Sequence, residues 1–133
     1  MTRHAPFLQA LIGAALIAAA VPPPAQAAPE EKTALADFFA GTLEIDLLAG
    51  GWSARRWLAT DHTYRETGSD GEVHGTWSIE NGKICTVRDK PKDDPDRTAR
   101  YCNEGVGRHV GETWNDADPV TGNVVMFALK PGR

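Results

Sequence analysis

The Asn81-Gly82 dipeptide is the sequence feature that most narrows the folds open to this chain. The segments on either side of it, residues 76–80 and 83–87, have the composition of β-strands. Asn and Gly tolerate the two positive φ angles of a type I′ turn, so the pair predicts a two-residue β-hairpin. Counting outward from the turn pairs Glu80 with Lys83, Ile79 with Ile84, Ser78 with Cys85 and Trp77 with Thr86.

Short strand candidates separated by turn residues run through most of the remaining chain. Leu43, Ile45 and Leu47 alternate with Glu44 and Asp46, which is the period of a strand with one buried face. The candidates are residues 43–47, 52–59, 63–67, 72–80, 83–87, 100–102, 110–114 and 123–130. Turn residues separate them at intervals of about eight to twelve residues, which is typical of antiparallel β proteins.

One short helix is predicted ahead of these strands, over residues 29–40. Pro29 and two acidic residues suit the first turn of a helix, and Gly41 suits its end. Leu35, Phe38 and Phe39 repeat at helical spacing and form an apolar stripe. The predicted fold class is therefore all-β and mainly antiparallel: a small lipocalin-like barrel or curled meander of about eight strands with one short N-terminal helix.

The N-terminus has the pattern of a secretory signal peptide. Arg3 and His4 precede an uncharged apolar run over residues 7–21, and Ala25-Gln26-Ala27 matches the small-x-small pattern of a cleavage site. The run is shorter than the roughly 20 apolar residues of a membrane span. We expect residues 1–27 to be a cleaved signal peptide, with cleavage after Ala27 or Ala28, and residues 28–133 to be one β-rich domain that is periplasmic or secreted.

The composition of residues 28–133 limits the classes of partner that are expected. Loss of Arg3 leaves 13 Lys and Arg against 18 Asp and Glu, a net charge of −5. Nucleic acid and anionic lipid both require a basic surface, so neither is expected as a partner. No second hydrophobic span follows residue 27, so no membrane insertion is expected after cleavage; the oligomeric state stays open.

The two cysteines, Cys85 and Cys102, are an even pair in a chain expected to be exported. Such a pair usually forms a disulfide, which here would enclose 16 residues. Reduced thiols serving metal or redox chemistry are the alternative, but no C-x-x-C motif supports them. The disulfide would attach the strand that contains Cys102 to the Asn81-Gly82 hairpin.

The segment 75–85, Gly-Thr-Trp-Ser-Ile-Glu-Asn-Gly-Lys-Ile-Cys, followed by Tyr101-Cys102, resembles a motif of small exported bacterial proteins of unknown function. Those proteins are lipocalin-like in strand pattern. Asp61-His62-Thr63-Tyr64 stands where those proteins have a "dG-t-y" type segment at the end of a strand, and His62 replaces the usual glycine. The resemblance implies the fold and export. It implies no activity and assigns no functional residue.

A binding site is predicted around Trp52, Arg55, Arg56 and Trp57. The spacing of five places the two tryptophans on opposite faces of a strand, so at least one is expected to be exposed or at a rim. Tryptophan beside arginine is a frequent binding combination. The alternative is that the rings simply pack under the arginine side chains.

The patterns of metal sites and catalytic sites are weak. His62, His74 and His109 lack the spacing of a metal-binding pair, and Asp116-Ala117-Asp118 departs from a calcium loop. No G-x-S-x-G nucleophile elbow occurs. We therefore expect no catalytic residues, no metal, no cofactor and no enzymatic activity.

The leading functional hypothesis is a non-enzymatic module that binds a small apolar ligand or an envelope component. The alternative is a protein inhibitor of a secreted or host hydrolase, which would contact its target through the loops at residues 89–97 and 115–122. A third reading is a structural envelope protein without a ligand. The sequence also leaves open which face of the last strand is buried, the one with Val125, Phe127 and Leu129 or the one with Val124, Met126 and Ala128.

Overall fold

The computed structural model describes residues 26–133, which form two short helices and eight strands. The helices are α1 (Pro29–Ala34) and α2 (Ala36–Ala40). The strands are β1 (Gly41–Leu47), β2 (Trp52–Leu58), β3 (Thr63–Gly68), β4 (Gly71–Glu80), β5 (Lys83–Arg88), β6 (Arg100–Asn103), β7 (Thr113–Ala117) and β8 (Val124–Pro131). The predicted fold class is confirmed: the chain is an antiparallel, lipocalin-like small barrel.

The strands form one sheet in the order β6-β5-β4-β3-β2-β1-β8-β7, and all neighbours are antiparallel. This is a meander in which β8 returns to pair with β1. Only the junction between β6 and β7 lacks a strand ladder among the described residues. Because neighbouring strands alternate in direction, the β1–β2, β3–β4, β5–β6 and β7–β8 connections all lie at one end of the barrel, which we call the open end.

Side chains close the junction between β6 and β7. Asp116 of β7 accepts a hydrogen bond from the backbone N–H of Glu104 (2.8 Å), and the indole N–H of Trp114 donates to the carbonyl of Glu104 (3.1 Å). The side chain of Asn103 lies 3.5 Å from the Asp116 carboxylate. These contacts satisfy polar groups that an open sheet edge would expose, and the barrel is therefore nearly closed.

The two helices pack at the end opposite the open end and fill it. Phe38 of α2 meets the ring of Trp114 at 6.2 Å, and Trp114 stacks on Phe127 at 5.5 Å. The buried core consists of Ala27, Leu35, Phe38, Leu43, Ile45, Leu58, Tyr64, Val73, Trp77, Ile84, Trp114, Val125, Phe127 and Leu129. Val125, Phe127 and Leu129 thus face the interior, whereas Val124 and Met126 are exposed, which settles the two faces of the last strand.

The hairpin prediction is confirmed in its turn and in its register. Asn81 and Gly82 both have positive φ (52° and 74°), and Glu80 lies opposite Lys83. The expected charge pair across the turn is replaced, because Glu80 contacts Arg100 at 3.2 Å and Lys83 contacts Glu104 at 3.8 Å. Strand β6 and the residue after it thereby supply a different partner to each charge.

Two predicted elements differ from the structure. The helix predicted over 29–40 is interrupted at Leu35, whose φ of −115° and ψ of 16° are not helical. This break lets Leu35 become fully buried. The strand predicted at 110–114 instead spans Thr113–Ala117, because β8 supplies pairing partners as far as Ala117. The predicted loop at 115–122 is correspondingly shorter.

His62 adopts an unusual backbone conformation in the turn before β3. Its φ is 66°, in the left-handed region that favours glycine. The His62 ring lies 4.5 Å from that of Trp77, and its Nε2 atom is 3.3 Å from a carboxylate oxygen of Glu31. The side chain of His62 thus contacts α1 and the core, although histidine adopts this backbone conformation less readily than glycine.

The predicted signal peptide lies outside the described residues except for Gln26 and Ala27. Ala27 is buried, and its backbone N–H donates to the carbonyl of Thr60 at 2.7 Å. Cleavage after Ala27 would remove this contact, whereas all the helices and strands that the structure describes lie from Pro29 onward. None of the helices formed by residues 26–133 has the length and hydrophobicity of a membrane span.

Candidate functional site

The interior of the barrel is not filled at the open end, where a cavity of about 320 Å³ remains. One part of its wall is apolar and is formed by Ile45, Leu47, Trp52, Val125 and Phe127. The other part is polar and includes Arg56, Tyr64, Glu66, Thr86, Arg88, Tyr101 and Asn103. Ligand pockets in proteins range from about 300 to 1,000 Å³ and combine an apolar lining with a few polar groups, so this cavity has the size and composition of a small ligand site.

A buried ion pair lies in the polar part of the wall. Glu66 of β3 is 2% exposed. One of its carboxylate oxygens accepts a hydrogen bond from Nε of Arg56 on β2 (2.7 Å) and lies 2.6 Å from a terminal nitrogen of the same guanidinium. Arg56 and Glu66 face each other directly in the strand register. The cross-strand pairing thus places opposite charges side by side inside the barrel, where each compensates the other's lost hydration.

Arg88 of β5 is the second arginine of the cavity and lies nearer its mouth. Its guanidinium is 3.9 Å from Glu66 and 3.2 Å from the carboxylate of Asp70. Burial disfavours the charged form of Arg88, but the hydrogen bond and the negative charge of Asp70 outweigh burial and raise the pKa of the guanidinium. Arg88 is therefore a permanent cation on the cavity wall.

Tyr64 is a buried residue of the cavity wall beside Arg56. The guanidinium of Arg56 lies 5.2 Å from the centre of its ring. Across the ladder Tyr64 faces Gly75, where a Cβ atom would come within 2.5 Å of the ring. The missing side chain at Gly75 thus leaves room for the ring. Burial raises the pKa of the Tyr64 hydroxyl above its ordinary value of 10.0, although the positive charge of Arg56 opposes this.

The structure separates the four residues of the predicted binding site onto two faces of β2. Trp52 and Arg56 line the cavity. Arg55 points to the outside, where its guanidinium is 3.9 Å from Glu44. Trp57 also lies outside, with Arg65 4.1 Å above its ring and its indole N–H donating to Thr42. The expectation that the two tryptophans occupy opposite faces is confirmed, and only Trp52 and Arg56 are placed at the cavity.

The histidines considered as metal ligands lie beside different carboxylates. His62 is near Glu31, His74 is near Glu72, and His109 is near Asp37. Within residues 26–133 the atoms of Glu80, Cys85 and Cys102 form the one His, Cys, Asp and Glu group that is compact enough for a metal. Both sulfur atoms of that group belong to a disulfide.

The predicted disulfide between Cys85 and Cys102 is confirmed, and it joins β5 to β6. The two cysteines face each other directly, with Cα atoms 4.0 Å apart. The residues beside Cys102, Tyr101 and Asn103, line the cavity. The disulfide therefore holds a short edge strand that forms part of the cavity wall.

Three charged residues of the cavity, Glu66, Asp70 and Arg88, were not predicted as site residues. Glu66 lies two positions after the inward-facing Tyr64, and Arg88 lies four positions after the inward-facing Ile84. Because side chains alternate between the two faces of a strand, this spacing indicates that both charged residues face the interior. Asp70 lies on a two-residue turn and has no such pattern. The charged loop at 89–97 and the loop after β7 both lie at the open end, and Lys90 and Asp118 of these loops reach the cavity mouth.

Comparison of the chain with protein-family models, with curated proteins and with solved structures gave no match. The cavity and its charges are therefore the basis for inferring what the protein does.

Proposed function

We propose that this chain is an exported, non-enzymatic binding protein that holds a small molecule inside its barrel. The observation that carries the proposal is the cavity of about 320 Å³ at the open end, in a barrel whose other end is filled by aromatic side chains. The volume lies at the lower end of the range for small-molecule sites, so the cavity suits a small ligand. Binding of a small, mainly apolar molecule with a polar group fits this lining best.

Apolar contact supplies most of the expected affinity. Ile45, Leu47, Val125 and Phe127 offer an apolar surface, and burial of a CH₂ group contributes about 0.8 kcal/mol. Association costs several kcal/mol in lost freedom. A ligand with a short alkyl chain is therefore expected to bind with a dissociation constant in the millimolar to micromolar range.

Filling the mouth of the cavity is expected to abolish this binding. Leu47 lines the cavity, and Leu47→Trp places a larger side chain there. The next residue, Leu48, is 60% exposed, so Leu48→Trp adds the same side chain outside the barrel. In NMR titrations with 1-octanol, we expect the wild type and Leu48→Trp to show saturable amide shifts on the cavity-lining strands. We expect Leu47→Trp to bind at least tenfold more weakly.

The titration also tests the proposal against its alternative. Equal binding by Leu47→Trp and the wild type would place the alcohol outside the cavity and contradict the proposal. No saturable shift in the wild type, with either 1-octanol or octanoate, would reject a ligand-binding cavity. The loops at the open end would then become the candidate surface for a protein target, as an inhibitor requires.

We propose further that the protein is periplasmic or secreted. The signal-like pattern of residues 1–27 and the disulfide support this location, because disulfides persist in oxidising compartments. Expression of the full chain in a bacterium is expected to give an extracytoplasmic protein that begins at Ala28 or Pro29. Intact-mass measurement of the periplasmic and cytoplasmic fractions checks this. A full-length chain confined to the cytoplasm would contradict it.

A further inference from the structure

A carboxylate already occupies the mouth of the cavity. Asp70 belongs to the two-residue turn between β3 and β4, and its Oδ2 atom accepts hydrogen bonds from the indole N–H of Trp52 (3.0 Å) and from Arg88 (3.2 Å). The side chain of Asp70 is 44% exposed. An indole N–H and a guanidinium on the cavity wall thus converge on one carboxylate oxygen, which comes from a surface turn.

Within the cavity, Glu66 is a much closer partner of Arg56 than of Arg88. Glu66 makes its short contacts with Arg56, at 2.6 and 2.7 Å, and lies 3.9 Å from Arg88. Arg56, Arg88 and Glu66 together therefore carry one net positive charge on the cavity wall. A partly buried cation requires a nearby negative charge, and Asp70 supplies it from the mouth.

The loops at the open end do not reverse this balance. Lys90 adds a positive charge at the mouth. The carboxylate of Asp118 accepts hydrogen bonds from the backbone N–H groups of Val120 (2.7 Å) and Thr121 (3.2 Å) and so stabilises its own loop. The three basic residues of the cavity, Arg56, Arg88 and Lys90, are balanced by Glu66, Asp70 and Asp118, so displacement of Asp70 leaves one positive charge at the cavity without a partner.

We propose that the cavity takes a small molecule with one carboxylate and a short apolar chain, and that this carboxylate displaces Asp70 from Trp52 and Arg88. The inference rests on the proposed ligand-binding function and names its ligand class. Arginine binds carboxylates through paired, charge-assisted hydrogen bonds. The apolar chain then lies against Ile45, Val125 and Phe127. Asp70 can leave because the carboxylate of the ligand then supplies the negative charge beside Arg88.

The test compares octanoate with 1-octanol, which share a chain and differ in the charged group. We expect the wild type to bind octanoate about tenfold or more tightly than 1-octanol, because a hydrogen bond to a charged group adds about that factor. Asp70→Asn removes the internal competitor and is expected to bind octanoate several-fold more tightly. The affinity of Asp70→Asn for 1-octanol should change by less than about twofold, since the apolar wall is intact.

Arg88→Met tests whether Arg88 binds the carboxylate of the ligand. Arg56 still pairs with Glu66 in this variant, so the barrel keeps its buried ion pair. Octanoate affinity is expected to fall at least tenfold while 1-octanol binding persists, which also reports that the cavity is folded. Arg100→Met is the matched control, because Arg100 is exposed on the outer side of β6 beside Glu80. It removes the same charge and should leave octanoate binding unchanged.

Three results would overturn the inference. Equal affinity of the wild type for octanoate and 1-octanol would remove the role of the carboxylate and leave the binding cavity standing. Weaker octanoate binding by Asp70→Asn would make Asp70 a support of the site instead of its competitor. Failure of both molecules to bind the wild type would reject the proposed function together with this inference.

Discussion

Replacement of Glu66 with alanine is expected to lower the free energy of unfolding by roughly 3–5 kcal/mol, because it leaves a buried arginine without its partner. Glu66 is 2% exposed, and the side chain of Arg56 is 14% exposed. Arg56 would keep its charge inside the barrel without the carboxylate that it contacts at 2.6 Å. Urea denaturation at neutral pH measures the loss. Domains of this size are stable by about 5–15 kcal/mol, so the expected loss is a large fraction of the total stability.

Two further variants separate burial of a charge from simple loss of an acidic residue. Glu44 lies on the outer face, 3.9 Å from the exposed Arg55. Glu44→Ala should therefore change stability by no more than about 1 kcal/mol. The double variant Arg56→Met with Glu66→Leu removes both charges and should recover most of the stability lost by Glu66→Ala. A double variant as unstable as Glu66→Ala would show that the loss arises from altered packing and not from the unpaired charge.

The parts of the fold that depend on local chemistry were predictable from the sequence. The Asn81-Gly82 turn fixes the register of β4 and β5 because a two-residue turn allows one pairing. The alternation of Leu43, Ile45 and Leu47 locates β1 and its buried face. The length of the helix was less predictable. The break at Leu35 depends on the barrel core that receives its side chain, and a helical repeat does not contain that information.

The interior charges could not be assigned from the sequence in the same way. On β3 one face carries Tyr64 and Glu66, and the other carries Thr63, Arg65 and Thr67. Neither set is apolar, so hydrophobic alternation does not identify the inner face. Pairing with β2 decides it, because Arg56 and Glu66 meet across the ladder. A site formed by residues of different strands becomes visible only when the strand order is known.

The predicted site on β2 illustrates the same limit within one strand. Nearness in sequence predicts one patch formed by Trp52, Arg55, Arg56 and Trp57. Alternation separates Arg55 from Arg56, and burial shows that Arg56 belongs with the cavity. Assignment of Asp70 to the cavity requires still more information. Its role depends on the approach of Trp52 and Arg88 from two other strands.

Removal of the disulfide is expected to be the other large destabilisation, about 3 kcal/mol in the chain-entropy model for a bridge that encloses 16 residues. The disulfide restricts the conformations that are open to the unfolded chain. In the folded state it also holds β6, an edge strand of four residues whose ladder partner is β5. Urea denaturation of the wild type and of the double variant Cys85→Ala with Cys102→Ala measures the effect. Reduction of the wild type should reproduce it, and the reductant should leave the double variant unchanged.

The position of the bridge makes ligand binding a second readout of the same variant. Tyr101 and Asn103 flank Cys102 and line the cavity, and the loop between β5 and β6 carries Lys90 at its mouth. If β6 separates locally from β5 once the bridge is removed, octanoate affinity should fall in parallel with stability. If stability falls by about 3 kcal/mol while affinity is unchanged, the bridge acts through the unfolded chain alone. A loss of stability below about 1 kcal/mol would contradict both roles, and the strand ladder with the contacts of Asp116 would then suffice to hold β6 in the wall.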